Sequence, residues 1–344
     1  MPDGSAPPPR RPRLNLQAIS QLADLCDYSF AFTLRAIAAI GVADHLADGP
    51  LHIDELAKRT ACNPHGLVRA LRVLAVKSVF TEGPADTFAL APTGELLRTD
   101  HPLSMRRFFR LEPEVQALAA LDHSVRTGEP AFDHVFGSDY SSWLASAETH
   151  RREFRESQSA LNRLELMAIH ESFRWQDVTS IVDVGGGDGS LVAALLEHAP
   201  ALTGVVFDVA EAAAGAHERF RAAGLADRAT VVHGHVLRDE VPAAADVYVM
   251  RRVLAGLGDA DAILAAANVR HAMAAHSRLL VMEPLRRAPG QLGVSPDLQM
   301  LALGLGRVRT ADEIERILLA AGLRATATCL NAVVTTIEAE VASR

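Results

Sequence analysis

The chain is short of cysteine, of aromatic residues and of positive charge, and each shortage removes a class of protein. Cys26, Cys62 and Cys329 are scattered, odd in number and without CxxC spacing. They offer neither a disulfide framework nor a thiolate metal site, and a reducing compartment is expected. Aromatic residues make up only 5% while alanine and leucine are abundant, a balance that favours helices and parallel sheet over a β-sandwich. Lys and Arg number 34 against 42 Asp and Glu, a formal charge of -8. Nucleic-acid binding rests on many cationic contacts to phosphate, so a small-molecule substrate or a protein partner is expected instead. No apolar run approaches membrane-spanning length, and MPDGSAPPPRRPR lacks the apolar core of a signal peptide. The expectation is a soluble, cytoplasmic protein without a membrane partner, carrying a flexible tail over residues 1–13.

What is present is enough for two domains: 344 residues with a hydrophobic fraction of 49% can bury sizeable cores. From Leu14 apolar residues recur at helical spacing through Leu22, Leu25, Phe30, Leu34, Ile37 and Ile40 up to Gly41, and predict one long amphipathic helix. Two shorter helices follow, His52 to Thr60 and one opened by Asn63-Pro64, where Asn63 can cap and Pro64 fits the first turn. SVFTEGPADTFALAPTG then reads as two short strands around a Gly-Pro turn, completing a winged-helix pattern over residues 14–100. As a DNA reader its second helix would offer only Arg69, Arg72 and Lys77 among apolar residues, so burial against another subunit explains it better. Residues 101–175 read as a helical linker and substrate cover. From residue 176 to 344 short β-rich runs (SIVDV, TGVVFD, ATVVHG, ADVYVM, SRLLVMEP) alternate with alanine-rich helices, which predicts an α/β, doubly wound, Rossmann-like domain. It closes with a helix capped by Thr310 and Glu313 and a terminal hairpin.

Ile181-Val182-Asp183-Val184 breaks into Gly185-Gly186-Gly187-Asp188-Gly189 and then into SLVAALLEH, so backbone must approach a ligand closely there. The dinucleotide fingerprint wants a glycine where Ser190 stands, which weakens that reading. The next strand ends in Asp208, 23 residues beyond Gly185, where a carboxylate can accept both hydroxyls of a ribose. Glycine turns also serve tight packing alone. Here turn and acid together define a nucleoside site.

With VDVGGGDG, FDVAEAAAGA, ADVYVMRRVL followed by Asp259-Ala260-Asp261, VMEP and DLQMLALGLGRVRTADEIERILLAAGL, the sequence resembles the S-adenosylmethionine (SAM)-dependent small-molecule O-methyltransferases with an N-terminal winged-helix dimerisation domain. The likeness spans about residues 15 to 340 and leans toward bacterial natural-product tailoring enzymes. It implies a homodimer formed through the N-terminal domain, and SAM or S-adenosylhomocysteine (SAH) as cofactor. It places Gly185 and Gly187 at the methionine part, Asp208 at the ribose, Arg151 at the cofactor carboxylate, His235 and Val236 at the adenine in place of the family's Asp-Phe, and Arg251 in the cofactor wall. His233 and His235 also form an HxH pair expected to share one strand face, but with no third ligand nearby no metal is expected.

The resemblance also implies a histidine base within Leu-His-Asp-Trp, flanked by two glutamates. This chain reads Leu254-Ala255-Gly256-Leu257, keeps Glu283 as the one remaining catalytic candidate of that set, and has Val308 in place of the other acid. General-base catalysis contributes about 10² to 10⁴ in rate, and alanine cannot supply it. Three readings stay open. Methyl transfer can proceed to an acceptor already nucleophilic, by positioning alone. The bound cofactor can instead support another reaction such as decarboxylation, hydroxylation or cyclisation. The chain can also be a non-catalytic pathway scaffold. Candidate substrate contacts are Gln158, Asn162, Arg252, Asp297, Met300 and Arg309, and His123 and His170 are candidate replacement bases.

Overall fold

A computed structural model describes residues 15–108, 112–286, 294–330 and 333–342. The tail expected over residues 1–13 lies outside them. The chain divides into two compact units, residues 1–110 and 111–344.

The first unit holds α1 (Leu16–Cys26), α2 (Ser29–Ile40), α3 (Val42–His45), β1 (Leu51–His52), α4 (Ile53–Arg59), α5 (Pro64–Val76), β2 (Phe80–Gly83), β3 (Thr87–Leu90) and α6 (Pro92–Glu95). The single helix expected from residue 14 to 40 is two helices. Asp27 accepts the Ser29 N–H at 2.9 Å and the Ser29 hydroxyl, giving the backbone a local alternative to the helical ladder. Apolar periodicity carries across this break, which is why the pattern hides it. On α5, Asn63 accepts the Gly66 N–H at 3.1 Å, and Leu67, Leu71 and Leu74 bury one face in a core with Leu56, Phe80 and Phe88. The wing is an antiparallel sheet in the order β1-β3-β2. Two of the cations considered for DNA are engaged within this unit: Arg72 pairs with Glu82 and Asp86, both at 2.7 Å, and Lys77 sits 4.6 Å from the Phe30 ring centroid.

In the second unit α7 (Glu112–Ala119), α8 (Leu121–Thr127), α9 (Ala131–Phe136), α10 (Tyr140–Ala145) and α11 (Glu148–Ser172) precede an alternating run. That run is β4 (Ser180–Val184), α12 (Ser190–His198), β5 (Thr203–Asp208), α13 (Ala216–Ala222), β6 (Ala229–His233), β7 (Val247–Arg251), α14 (Asp259–Ala272), β8 (Arg278–Glu283), α15 (Val294–Leu303), α16 (Ala311–Ala320), β9 (Leu323–Cys329) and β10 (Thr335–Val341). The sheet order is β6-β5-β4-β7-β8-β10-β9, with β4 to β8 parallel and β10 antiparallel to both of its neighbours. Alternate strand residues feed two cores: Ile181, Val249 and Leu280 pack on one face, Val182, Tyr248 and Val281 on the other. Such two-sided burial is what makes parallel strands read as continuous apolar runs. A further core joins Phe132 and Tyr140 with Leu303 of α15. The capping box forms as expected, with Thr310 and Glu313 satisfying each other's backbone N–H. Among the described residues no helix is long and apolar enough to cross a membrane. From β4 the chain winds one way through β5 and β6, then restarts on the other side with β7. The carboxyl ends of β4 and β7 therefore flank a topological switch point, where ligands of open α/β sheets bind.

Candidate cofactor and acceptor site

The glycine turn sits at that switch point. Gly185 continues the ladder by donating to the Phe207 carbonyl at 2.8 Å, and a Cβ there would come within 2.7 Å of Val253 on the far side of the switch point. Gly187 adopts φ +54°, and a Cβ built on it meets nothing within 4 Å, so the turn leaves open space above it. Its N–H donates to Asp208 Oδ2 at 2.9 Å, while Asp208 Oδ1 accepts from Val209 N–H at 2.7 Å. Each carboxylate oxygen keeps a further lone pair for a ligand hydroxyl. Beneath the turn Asp183 is fully buried and neither carboxyl oxygen has a hydrogen-bond partner among the described residues. Burial pushes it up to about 7, opposed by the charge of Arg251 and reinforced by Asp208 and Asp188.

Beside this turn α11 meets the end of β7. Arg251 donates to Asn162 Oδ1 at 2.5 Å and lies 3.5 Å from both the Ser190 hydroxyl and the Glu165 carboxylate. Arg252 turns the strand out of the sheet at φ +57°, its N–H reaching the Met282 carbonyl at 3.0 Å. A bulky residue with positive φ is a backbone outlier of the kind found at functional sites. Its Nε donates to Glu165 Oε1 at 2.9 Å, with Nη2 on the same oxygen.

Three residues further on, the 254–256 turn holds Ala255. Its N–H donates to Glu283 Oε1 at 3.2 Å and its carbonyl accepts from Arg307 N–H at 2.9 Å. Gly306 passes so close that a Cβ would stand 2.0 Å from the Ala255 oxygen. Glu283 is 2% exposed, and its Oε2 has no partner among the described residues. Burial pushes its carboxyl up to about 7 against the Ala255 and Leu254 N–H groups and the charges of Arg252 and Arg309.

The remaining sequence candidates divide by what holds them. Arg309 has a side chain only 1% exposed, spent on the carbonyls of Leu254 and Leu257 and on Asp259. It staples the turn and presents no surface to a substrate. Asp297 accepts the N–H of the buried Val308 at 2.8 Å. Met300 is half-buried on α15, and Gln158 donates to the Ser157 hydroxyl at 3.3 Å. Arg151 is tied to Glu148 at 3.0 Å and to the Ala145 carbonyl at 2.5 Å. His233 and His235 do not share a strand, because β6 ends at His233 and the chain turns at Gly234, which packs on Phe207. His235 Nδ1 accepts from Leu237 N–H at 3.2 Å, and the Val236 carbonyl takes Asn268 at 2.7 Å. Among the described residues no group of three metal-ligating side chains occurs. His123 stacks on His134 at 4.1 Å, and His170 packs against His198. That second contact lies at the far end of α12 from Ser190, about 12 Å along the helix at 1.5 Å per residue. Pattern reading missed Glu165, Asp183 and Ser190. The first carried a signal, since Glu165 shares a helical face with the buried Ala168 and Ile169, where a carboxylate needs a partner.

A mostly parallel open sheet with a glycine turn at its switch point and an acid ending the neighbouring strand is the arrangement of a nucleotide-binding α/β domain. Residues 118–324 match the O-methyltransferase domain and residues 23–100 the O-methyltransferase dimerisation domain, and the chain belongs to this family. It is 36% identical over 295 residues to a phenazine O-methyltransferase of Lysobacter antibioticus, covering 84% of this chain and 86% of that one. It is 34% identical over 300 residues to the aclacinomycin 10-hydroxylase of Streptomyces purpurascens, covering 84% and 80%. A methyltransferase of calicheamicin biosynthesis, solved with SAH bound, superposes with a TM-score of 0.86 at 32% identity, over 96% of this chain and 99% of that one. S-adenosylmethionine is the cofactor of the family. The open space over Gly187 and the spare lone pairs of Asp208 fit its nucleoside and methionine parts.

Proposed function

We propose that this chain is a SAM-dependent tailoring enzyme of small-molecule secondary metabolism that methylates an acceptor already nucleophilic when it binds. The feature that carries the proposal is Ala255, at the position where the family resemblance implies a histidine base, its backbone fastened by Glu283 and Arg307. When bound, SAM supplies a methyl group activated by a sulfonium. Asp208 accepts the ribose hydroxyls, the open turn at Gly185 and Gly187 admits the methionine part, and Arg251 with Ser190 lines its end. His235 and Val236 border the adenine; because His235 Nδ1 accepts from Leu237 N–H, its Nε2 carries the proton and can donate to an adenine ring nitrogen, where the family has an accepting carboxylate. Glu283 positions the 254–256 turn, since a side chain 2% exposed does not reach a substrate proton. An anionic or amine acceptor forms its bond to the methyl carbon as the carbon–sulfur electron pair returns to sulfur. No base is required before that step, and alignment supplies the rate. The dimerisation-domain match supports a homodimer. So does the exposed apolar row Leu16, Ile19, Leu22 and Leu25 along α1.

The 34% identity to a 10-hydroxylase favours a second reading, in which bound SAM assists a reaction without methyl transfer. Incubation with methyl-labelled SAM and acceptors that are anions, amines or neutral phenols separates the two. Label in the anion or amine product and little in the phenol is expected. Unlabelled product formed under cofactor saturation sinks methyl transfer.

A further inference from the structure

Two guanidinium groups share one fully buried carboxylate where α11 meets the end of β7. Among the described residues Glu165, 1% exposed, is the carboxylate paired with both guanidinium groups: Arg252 hydrogen-bonds Oε1, while Arg251 lies 3.5 Å from Oε2, which has no hydrogen-bond partner. The other acids facing it are Asp183 on β4 and Glu283 on β8, both buried carboxyls whose environment opposes ionisation. Arg251 is mostly enclosed and also spent on Asn162. Arg252 is different: Nε and Nη2 both go to Glu165, Nη1 meets no acceptor among the described residues, and the side chain is 40% exposed. The backbone that presents it is held at positive φ and leads directly into Val253, which abuts the glycine turn. A buried carboxylate thus fixes two nitrogens of a half-exposed guanidinium and leaves Nη1 without an acceptor among the described residues, one position before the Val253 that abuts the glycine turn.

We propose that Arg252, held by the positioning residue Glu165, is the recognition group for an anionic oxygen acceptor, a carboxylate or ionised phenol. This rests on the reading of the chain as a methyltransferase without a base and supplies what that reading lacks. A cation within about 4–6 Å favours the ionised form of an acid by one to three pKa units, so the guanidinium does by charge what a histidine would do by proton removal. The oxyanion then forms the new carbon–oxygen bond, the carbon–sulfur pair returns to sulfur, and no proton leaves in that step. The planar fork suits a carboxylate, for which guanidinium is the matched partner.

The test is calorimetric titration of the SAH-saturated full chain with 1-hydroxy-2-naphthoate and with its neutral isostere 1-hydroxy-2-naphthamide. The naphthoate is expected to bind about tenfold tighter or better, as for a charge-assisted contact. Arg252→Lys should keep most of that preference and Arg252→Gln should abolish it. Because Arg252→Gln strands the buried Glu165 charge and can unfold the unit, the double variant Glu165→Gln/Arg252→Gln is measured beside it, with the same loss expected. Equal affinities in the native protein overturn the proposal. So does naphthoate binding too weak to detect at millimolar concentration, or a preference that survives both Gln variants. SAH binding is titrated first. Its absence strikes the methyltransferase reading itself, whereas SAH binding without anion preference strikes the role of Arg252 alone.

Discussion

The glycine turn with Asp208 and the 254–256 turn with Glu283 lie on opposite sides of one switch point and differ in what they retain. At the first, turn and acid are joined by the Gly187–Asp208 bond and keep spare acceptor capacity for a ligand. At the second, the backbone is fastened by Glu283, Arg307 and Arg309, yet the side chain it displays is a methyl group, and the oxygen behind it, Glu283 Oε2, is left without a partner among the described residues. On the proposed function, holding a cofactor and removing a proton are separable properties of this fold. The 254–256 turn is held by contacts to its backbone, none of which needs a side chain at position 255.

Ala255→His should break that contrast most sharply. An imidazole there would have the unused Glu283 Oε2 as a hydrogen-bond acceptor, and methyl transfer to a neutral phenol should rise by about a hundredfold or more, the lower range for general-base catalysis. Rates with labelled SAM check this, and an unchanged rate would mean that the missing histidine is not what limits the reaction. Asp208→Ala attacks the other side. Losing hydrogen bonds to a charged acceptor, about 1.5–3 kcal/mol each, should weaken SAH binding about a hundredfold by calorimetry, with the fold intact by circular dichroism.

Glu283→Gln addresses the scaffold of the second turn. Burial raises this carboxyl from 4.5 to about 7, so the folded state holds its proton more tightly than the unfolded state. The native protein therefore loses stability as pH rises from about 4.5 through about 7, by up to about 3 kcal/mol. Glutamine can keep the bond from the Ala255 N–H without that penalty. Denaturant unfolding should show the variant's advantage at pH 8 and little of it at pH 4, and an advantage independent of pH would contradict the assignment. Gly306→Ala should have the smallest effect on ligand binding, while costing about 1–3 kcal/mol of stability from its positive φ alone and more from the clash with the Ala255 carbonyl. Amide exchange should quicken at Ala255 while SAH affinity changes little.

What the sequence disclosed follows from how local each feature is. VDVGGGDG and Asp208 are a strand, a turn and the end of the next strand, so their chemistry is written in about twenty-five residues. The Thr310–Glu313 cap needs only four. The Arg252–Glu165 pair joins positions 87 apart in the chain, and nothing in either neighbourhood names the other. Arg309 looked like a substrate contact because its family segment lines the site, but its fork is aimed backward at the 254–257 carbonyls. The HxH pattern misled because spacing of two implies one face only while a strand continues, and β6 stops at His233. Asp27 escaped notice because a side chain that rebinds its own backbone leaves the apolar rhythm untouched.

The central claim, that the acceptor arrives already nucleophilic, is tested most directly by the pH dependence of methyl transfer across substituted phenols of graded acidity. The midpoint of the rate profile should move with the pKa of each acceptor, one unit for one unit, offset by a constant shift from the bound environment. A midpoint that stays at one pH for every acceptor would report a base on the protein and contradict the account.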